Sequence, residues 1–451
     1  MPRIQIVHVG SVTNKGTLAL LKAEVSELKR IYQNPEISVS TCDIEMLRSA
    51  MPELASVPLL IDIPHEKADL DARKKGIDRN SHEYLVRLLA YSILMIPEII
   101  LSIVASYLFK LGVKRFYKSD VIASIAASDL VISTADENFK EGASNLPFNV
   151  YWRFVSWSVL LSRTLEIVIT KHIFKKTVII FPNSVGPFRT LLGRFLAKTA
   201  IKNVDLLFLR ETHSLVWTEN LEMRTPIIVT SDIVLVSNLD KFNKCTRDHA
   251  ERPLIAVCPG IYAATLSGRK QLDYVGAHSK TLDRFVEKYY AKVVFLPHET
   301  TGRSGDDYAF CELILNRMKK SNGATILKAK TLEEFSARIS QADLMLTSRM
   351  HPAVIACLCK VPTIVIYYDF KQLGLFEQLD LSSYVVDINQ VSHENLMTTM
   401  EEAWKNKFLI RKHLELCVPI LQRDMRSKIE ASCKKFLDVE RLASSQRKLK
   451  G

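Results

Sequence analysis

Short apolar runs alternate with helical stretches along most of this chain, and this alternation limits the folds that are open to it. Each run is apolar at consecutive positions rather than at every second position, which is typical of a strand that is buried on both faces. Strands of this kind, separated by helices, predict parallel sheets that carry helices on both sides. We therefore expect an α/β protein with doubly wound sheets.

The runs fall into two series. The first comprises IQIVHV, DLVIST, TVIIFPNS and VDLLFLR, and the second comprises PLIAVCPG, KVVFLPHE, ADLMLTS and TIVIYY. The segment Val236–Pro253 between them is polar and lacks periodicity, as expected of a linker. A chain of 451 residues is long enough for two cores. We predict two Rossmann-like domains that face a cleft, over residues 1–240 and 250–395, followed by C-terminal helices and a basic tail over 396–451.

Composition restricts the possible partners and the compartment. The net charge is +12, from 61 basic against 49 acidic residues, which suits acidic ligands or an anionic membrane surface. The basic residues are spread along the chain and no nucleic-acid-binding motif accompanies them, so we expect no nucleic acid partner. Eight cysteines without a C-x-x-C pair, and an N-terminus without a secretory pattern, predict a reducing cytoplasmic setting and no metal site.

One segment, Leu88–Phe109, is apolar enough to suggest a membrane and forms the core of an insertion at about 84–113. Its length approaches the ~20 residues that a membrane span needs. Pro97 and Glu98 lie at its centre, and a charge there would cost roughly 2.5–3.5 kcal/mol. Two interpretations stay open: a helical hairpin on the inner membrane surface, helped by the cations of KLGVKRFYK, or a buried helical pair.

The stretch TSRMHPAVIACLCKVPTIVIYYDFKQLG contains the strongest candidate site. Pro352 suits the first turn of a helix that follows the strand ADLMLTS. Arg349 and His351 then lie at a strand end and a helix N-terminus, where anions bind. Lys371 follows the next strand. The local alternative is that Arg349 pairs with a structural acid and His351 caps the helix.

A second cluster occurs in the first half of the chain. Gly186 and Pro187 form a tight loop after a strand, and Arg210 ends the next strand. Two strand-end arginines, one from each domain, would meet across a cleft. The local alternative is an ion pair between Arg210 and Glu211.

Taken together, the motifs occur in a characteristic order. They are Asn14-Lys15-Gly16-Thr17, Ser184-Val185-Gly186-Pro187-Phe188, Arg210-Glu211-Thr212-His213-Ser214, Pro297-His298 with Asp306-Asp307, Ser348-Arg349-Met350-His351 and Tyr368-Asp369-Phe370-Lys371. From about Ile4 to Leu381 this series resembles the polysaccharide pyruvyl transferases. Two positions depart from that family's pattern: Thr17 stands where an acid is usual, and STADENFKE, residues 133–141, replaces a glycine-rich stretch.

The resemblance implies a glycosyltransferase-B-like fold and transfer of a pyruvyl group from phosphoenolpyruvate to a sugar, with ketal formation and phosphate release. Phosphoenolpyruvate is then a co-substrate, and no cofactor is implied. The acceptor sugar is either lipid-linked or carried on a nucleotide. The expected roles are donor binding by Arg210, Arg349 and Ser348, catalysis by His351 and Lys371, and additional contacts from His298, Asn14 and Gly16.

Two other functions are compatible with the same architecture. A nucleotide-sugar-dependent glycosyltransferase would bind a diphosphate with Arg349 and Lys371, and it would need a carboxylate for the donor ribose, for which Glu377 is the candidate. A non-catalytic scaffold would have lost the N-terminal site, although Arg210, Arg349, His351 and Lys371 are all present.

Overall fold

The computed structural model describes residues 1–77, 81–142, 150–242, 252–260, 271–299 and 307–448. Within them the chain forms two sheets in which every strand pair is parallel. The predicted α/β, doubly wound fold is confirmed. The apolar runs form the central strands because strands buried on both faces remove the most apolar surface from water.

The first sheet has the order β3-β2-β1-β4-β6-β7-β8, with the short strand β5 paired to β6. Its strands are β1 Arg3–Val9, β2 Glu36–Thr41, β3 Ala55–Pro58, β4 Leu130–Ser133, β5 Asp136–Phe139, β6 Val178–Val185, β7 Leu206–Leu209 and β8 Ile227–Val229. Its helices are α1 Lys15–Ile31, α2 Ile44–Ala50, α3 Pro64–Lys75, α4 His82–Lys110, α5 Ser119–Ala127, α6 Val150–His172, α7 Leu191–Lys202 and α8 His213–Glu219.

The second sheet has the order β11-β10-β9-β12-β13-β14, which is the Rossmann arrangement. Its strands are β9 Leu254–Cys258, β10 Lys292–Phe295, β11 Ala324–Ile326, β12 Leu344–Thr347, β13 Thr363–Tyr367 and β14 Val385–Asp387. Its helices are α9 Gln271–Tyr289, α10 Asp307–Arg317, α11 Leu332–Ser340, α12 Met350–Leu358, α13 Phe370–Gln378 and α14 His393–Lys405, and the chain continues into α15 Lys407–Lys448. In both sheets the strand order reverses at a switch point, between β1 and β4 and between β9 and β12, where such folds bind ligands.

The apolar insertion is one continuous helix, α4, so the helical hairpin and the buried helical pair are both wrong. A single proline removes one backbone hydrogen bond and bends a helix without reversing the chain. No glycine or asparagine near Pro97 supplies a turn. The outward surface of α4 is also uncovered along its length, since Ile93, Ile96 and Ile100 are 70%, 65% and 57% exposed.

The two domains contact each other directly through polar bridges and through the last helix. Lys22 of α1 forms an ion pair with Glu333 of α11. Arg426 of α15 donates to Glu27 of α1 at 3.1 Å, while His413 of the same helix contacts the carbonyl of Leu379 in the second domain. The long helix α15 therefore contacts both domains and holds them together.

The two domains come into close contact at Gly374 of α13. A Cβ atom there would lie 2.5 Å from the Cβ of Glu211, the residue that follows Arg210. A side chain at this position would push the domains apart, which makes glycine necessary at this contact.

Gly374→Ala tests this contact. We expect a loss of about 1–3 kcal/mol of stability from overpacking. The matched control is Gly276→Ala in α9, where the nearest atom to the new Cβ, the Arg317 Nε, would lie 3.7 Å away. That control should gain up to about 1 kcal/mol from helix propensity. Thermal melts of both variants measure the difference, and a Gly374→Ala protein as stable as the wild type would contradict the contact.

Candidate functional site

The candidate site lies where the carboxyl edges of the two sheets face each other. Arg210 directly follows β7, Arg349 follows β12 by two residues, and Lys371 lies in the first turn of the helix after β13. His298 comes three residues after β10, and the loop after β1 leads to Gly16 in the first turn of α1. Parallel strands place all of these loops on one edge of each sheet, so residues distant in sequence meet.

His351 is the centre of this arrangement. It lies in the first turn of α12, and Gly16 of the opposite domain packs directly against its ring: a Cβ on Gly16 would lie 2.2 Å from the His351 Nδ1. The ring of His298 lies nearly parallel to that of His351, with centroids 6.4 Å apart. Nε2 of His351 is buried and has no hydrogen-bond partner within the described protein. The structure thus brings Gly16, His298 and His351 together.

Both histidines are electrically neutral near pH 7 in the unliganded protein. Burial lowers the pKa of His351, and the Arg210 and Lys371 cations add to this, while Asp232 and Asp136 oppose it. Burial also lowers the pKa of His298 well below its usual range, helped by Arg349. A neutral imidazole accepts a proton, so His351 is suited to act first as a base.

Arg349 is paired with two carboxylates. Its Nη2 lies 2.5 Å from the Asp307 Oδ1 and 3.5 Å from the Glu299 Oε2. Burial alone would lower the pKa of Arg349, but Asp307 and Glu299 raise it above its usual value. The local alternative of an acid partner for Arg349 therefore holds, and the pair also fixes where the guanidinium points. Asp306, the other half of the predicted acidic pair, lies outside the described residues.

Arg210 is almost fully buried and has a partner that sequence reasoning missed. Its Nε donates to the Ser184 Oγ at 2.8 Å and its Nη1 to the Asp232 Oδ2 at 3.1 Å. Glu211, the neighbour considered as a partner, instead accepts from the Ser214 backbone N–H at 2.9 Å. Ser184 belongs to the S-x-G-P-F motif, so this motif orients the arginine.

Lys371 takes part in an ion-pair network that spans the two domains. Its Nζ lies 2.7 Å from the Glu137 Oε2. Lys140 bonds to the same carboxylate and also to Asp369 of the second domain. Glu137 and Lys140 belong to residues 133–141, the stretch that departs from the family pattern. This departure is the sequence feature that points to the two residues. Residues of this stretch in the first domain therefore form ion pairs with residues of the second domain.

The remaining candidates have local roles. Ser348 is fully buried, and its Oγ accepts from the Gly260 N–H at 2.6 Å, which ties together the loops after β9 and β12. Asn14 caps α1 by accepting from the Gly16 N–H at 2.8 Å. Lys15, which sequence reasoning missed, donates to the carbonyl of His298 at 3.1 Å and so holds the two domains together beside the histidines.

Two parallel sheets of this order, with their carboxyl edges facing each other, are typical of the glycosyltransferase-B-like class of two-domain proteins. Solved structures share the fold. Sucrose-phosphate synthase from Thermosynechococcus elongatus superimposes with a TM-score of 0.58 at 10% identity, covering 97% of this chain and 100% of that one. The UDP-GlcNAc 2-epimerase from Neisseria meningitidis, bound to UDP-GlcNAc, gives a TM-score of 0.55 at 12% identity, covering 96% and 100%. A glycosyltransferase from Rickettsia africae gives 0.55 at 9% identity, covering 97% and 98%.

Sequence comparison defines the family. The chain belongs to the polysaccharide pyruvyl transferase family, whose model matches residues 14–370. The predicted resemblance is thereby confirmed, and the chain is a member of a transferase family. No curated protein matches the chain in sequence.

The interdomain network has a specific pH signature. Burial alone would raise the pKa of Glu137, but Lys140 and Lys371 lower it well below its usual value of 4.5. A depressed pKa means that the stabilisation is fully present above that usual value and is lost as the pH falls through the lower, folded-state pKa. In thermal melts, the melting temperature of the wild type should therefore exceed that of Glu137→Gln by the largest amount near pH 7. This difference should shrink in acid.

The control for this pH series is Glu222→Gln. Glu222 has a side chain that is 87% exposed, so its replacement should leave the melting temperature nearly unchanged at every pH. A constant difference between wild type and Glu137→Gln over the whole acid range would contradict the ion-pair network.

Proposed function

We propose that this protein transfers the pyruvyl group of phosphoenolpyruvate to two hydroxyls of a sugar acceptor, forming a ketal and releasing phosphate. The observation that carries the proposal is His351: a neutral imidazole on which cations of both domains act, and whose buried Nε2 has no hydrogen-bond partner among the described residues. The family assignment supports a transferase of this type. The setting is the synthesis of a surface polysaccharide or related glycan.

The cations suit the two anionic groups of phosphoenolpyruvate. Arg349 and Arg210 are planar donors that match a carboxylate or a phosphate. Their carboxylate partners, Asp307 and Asp232, hold each guanidinium in a fixed direction. Because the carboxylates balance much of the positive charge, donor binding depends on directed hydrogen bonds and on the N-terminus of α12 rather than on net charge.

The reaction needs a base that removes a hydroxyl proton and then an acid that supplies a proton. One acceptor hydroxyl attacks C2 of phosphoenolpyruvate and loses its proton, while the methylene carbon C3 gains a proton and becomes a methyl group. The bond from C2 to the phosphate oxygen then breaks, and phosphate leaves with the electron pair of that bond. The second hydroxyl attacks C2 to close the ketal, and its proton passes to the released phosphate. The neutral ring of His351 suits it to accept the proton of the first hydroxyl and to pass a proton to C3. The charge of bound donor would raise its pKa and suit it to return a proton.

Lys371 has the chemistry to stabilise the departing phosphate. Its Nζ is held by Glu137, and it is one of the cations that act on His351. A preorganised cation near a leaving group favours the transition state, where negative charge develops on the bridging oxygen.

The alternative of a nucleotide-sugar-dependent glycosyltransferase draws on the fold neighbours, one of which was solved with UDP-GlcNAc. For this chain it needs a carboxylate to bind the donor ribose, and Glu377 was the candidate. Glu377 instead pairs with His213 across the domain boundary at 2.7 Å. The pyruvyl donor is therefore the better-supported proposal.

Arg349→Lys tests the donor site and still leaves a cation beside Asp307. We expect weaker phosphoenolpyruvate binding, by about tenfold or more, because an ammonium cannot reproduce the planar fork. Calorimetric titration with phosphoenolpyruvate and, separately, with UDP-GlcNAc measures both candidate donors. Unchanged phosphoenolpyruvate affinity in a folded variant would contradict donor binding by Arg349, and tight binding of UDP-GlcNAc alone would favour the glycosyltransferase.

His351→Gln tests proton transfer. Turnover should fall by roughly 10²–10⁴-fold, with a much smaller change in phosphoenolpyruvate affinity, because the lost interaction acts mainly in the transition state. In the wild type, kcat/KM should decline in acid with an apparent pKa below the usual 6.5, since the base must be unprotonated. The variant should lack this acidic decline.

The control is His172→Gln, which changes an exposed histidine. It should keep both the rate and the pH profile of the wild type. Phosphate release measured with a panel of lipid-linked and nucleotide-bound sugars supplies the assay. Equal losses of turnover and affinity in His351→Gln would make His351 a binding residue, and full turnover would exclude both roles.

A further inference from the structure

Helix α4 has two faces of different character. Its buried face packs on the protein and consists of Tyr84, Leu88, Met95, Glu98, Ser102, Ala105 and Ser106. Its outward face is apolar and exposed, and consists of Leu85, Val86, Leu89, Ile93, Leu94, Ile96, Ile100, Leu101, Val104 and Tyr107. We call this outward set the aliphatic face. At 1.5 Å per residue it extends for about 33 Å.

The aliphatic face is unusual for a protein in water. Among the described residues α4 is the one helix long and apolar enough to cross a membrane, with a mean hydropathy of 2.2 over its best window, yet only 28% of that window is buried. A core helix would be mostly buried. Exposed apolar patches of this size mark an interaction site.

The buried face shows that α4 does not cross a membrane. The Glu98 Oε1 accepts from the Asp62 backbone N–H at 2.9 Å and pairs with Lys118. Ser102 donates to the carbonyl of Leu60 at 2.9 Å. Insertion across a bilayer would break these bonds and place a carboxylate in hydrocarbon. The helix is therefore fixed along the protein surface.

The residues after the helix indicate what covers it. Lys110, Lys114 and Arg115 are exposed at its C-terminal end, and the aromatic side chains of Tyr107 and Phe116 are exposed beside them. Cations attract anionic headgroups, and aromatic rings favour the boundary between headgroups and acyl chains. A protein interface mixes polar groups into its contact, which the aliphatic face lacks.

We infer that α4 lies in the plane of an anionic lipid surface, with the aliphatic face in the acyl boundary and the Lys110–Arg115 segment on the headgroups. The helix reaches the lipid as a rigid element because its other face is already bonded to the first domain. The loop that Glu98 and Ser102 hold, residues 59–63, follows β3 at the carboxyl edge of the first sheet. The lipid surface therefore runs beside the N-terminal half of the cleft. This inference does not depend on the proposed reaction.

Flotation of the full chain with vesicles tests the inference. One set of vesicles is pure phosphatidylcholine and the other contains an equal part of phosphatidylglycerol. The test variant replaces Ile93, Ile96 and Ile100 with Gln, which keeps helix propensity but removes apolar surface. The matched control replaces the same three residues with Leu. We expect wild type and control to float with the anionic vesicles and the Gln variant to bind at least about tenfold more weakly.

A second arm tests the cations. Lys114→Gln with Arg115→Gln should weaken binding to the anionic vesicles by about fivefold per charge and leave binding to neutral vesicles unchanged. Thermal melts establish that each variant is folded, and light scattering gives the oligomeric state. The inference is overturned if wild type does not float, if the folded Gln variant floats as well as the Leu control, or if wild type is a dimer that the Gln variant converts to monomers.

Discussion

The contact between the carboxyl edges of two parallel sheets is the constraint on which the rest of this protein depends. Loops from both sheets meet there, and burial between domains removes water from charged side chains, which is costly for any charge without a partner. Each cation has a carboxylate: Asp232 for Arg210, Asp307 for Arg349 and Glu137 for Lys371. These pairs fix the directions of the cations as well as stabilising them.

The same burial sets the protonation state of the histidines. His351 and His298 lie between the domains, so desolvation and nearby cations keep both rings neutral. Gly16 is the residue of the first domain that permits this packing, because any Cβ would collide with the His351 ring. The neutral state of the His351 ring is thus a property of the two packed domains and not of either domain alone.

Membrane attachment, as inferred for α4, uses a separate part of the first domain. The helix carries polar side chains on the face that bonds to loop 59–63 and aliphatic side chains on the other, so one element serves two different environments. Its hydropathy is that of a membrane span. The bonds of Glu98 and Ser102 to the first domain are what distinguish a helix on the membrane surface from a helix across the membrane. The predicted hairpin or buried pair rests on Pro97 and Glu98 at the centre of the segment. It is wrong because Pro97 leaves α4 continuous and Glu98 has its partners on the protein.

The sequence by itself determined the fold class, the order of the motifs, the family and the helix at Pro352, because strand burial, helix starts and motif spacing are local properties of the chain. It also placed Arg210, Arg349, His351 and Lys371 at strand ends, since parallel sheets gather their loops at one edge. Only the tertiary structure decided which groups meet. The partners of Asp232, Glu137 and Lys15 lie far from them in sequence, where helix and strand periodicity gives no information. The neutrality of His351 follows from burial that the two domains create together.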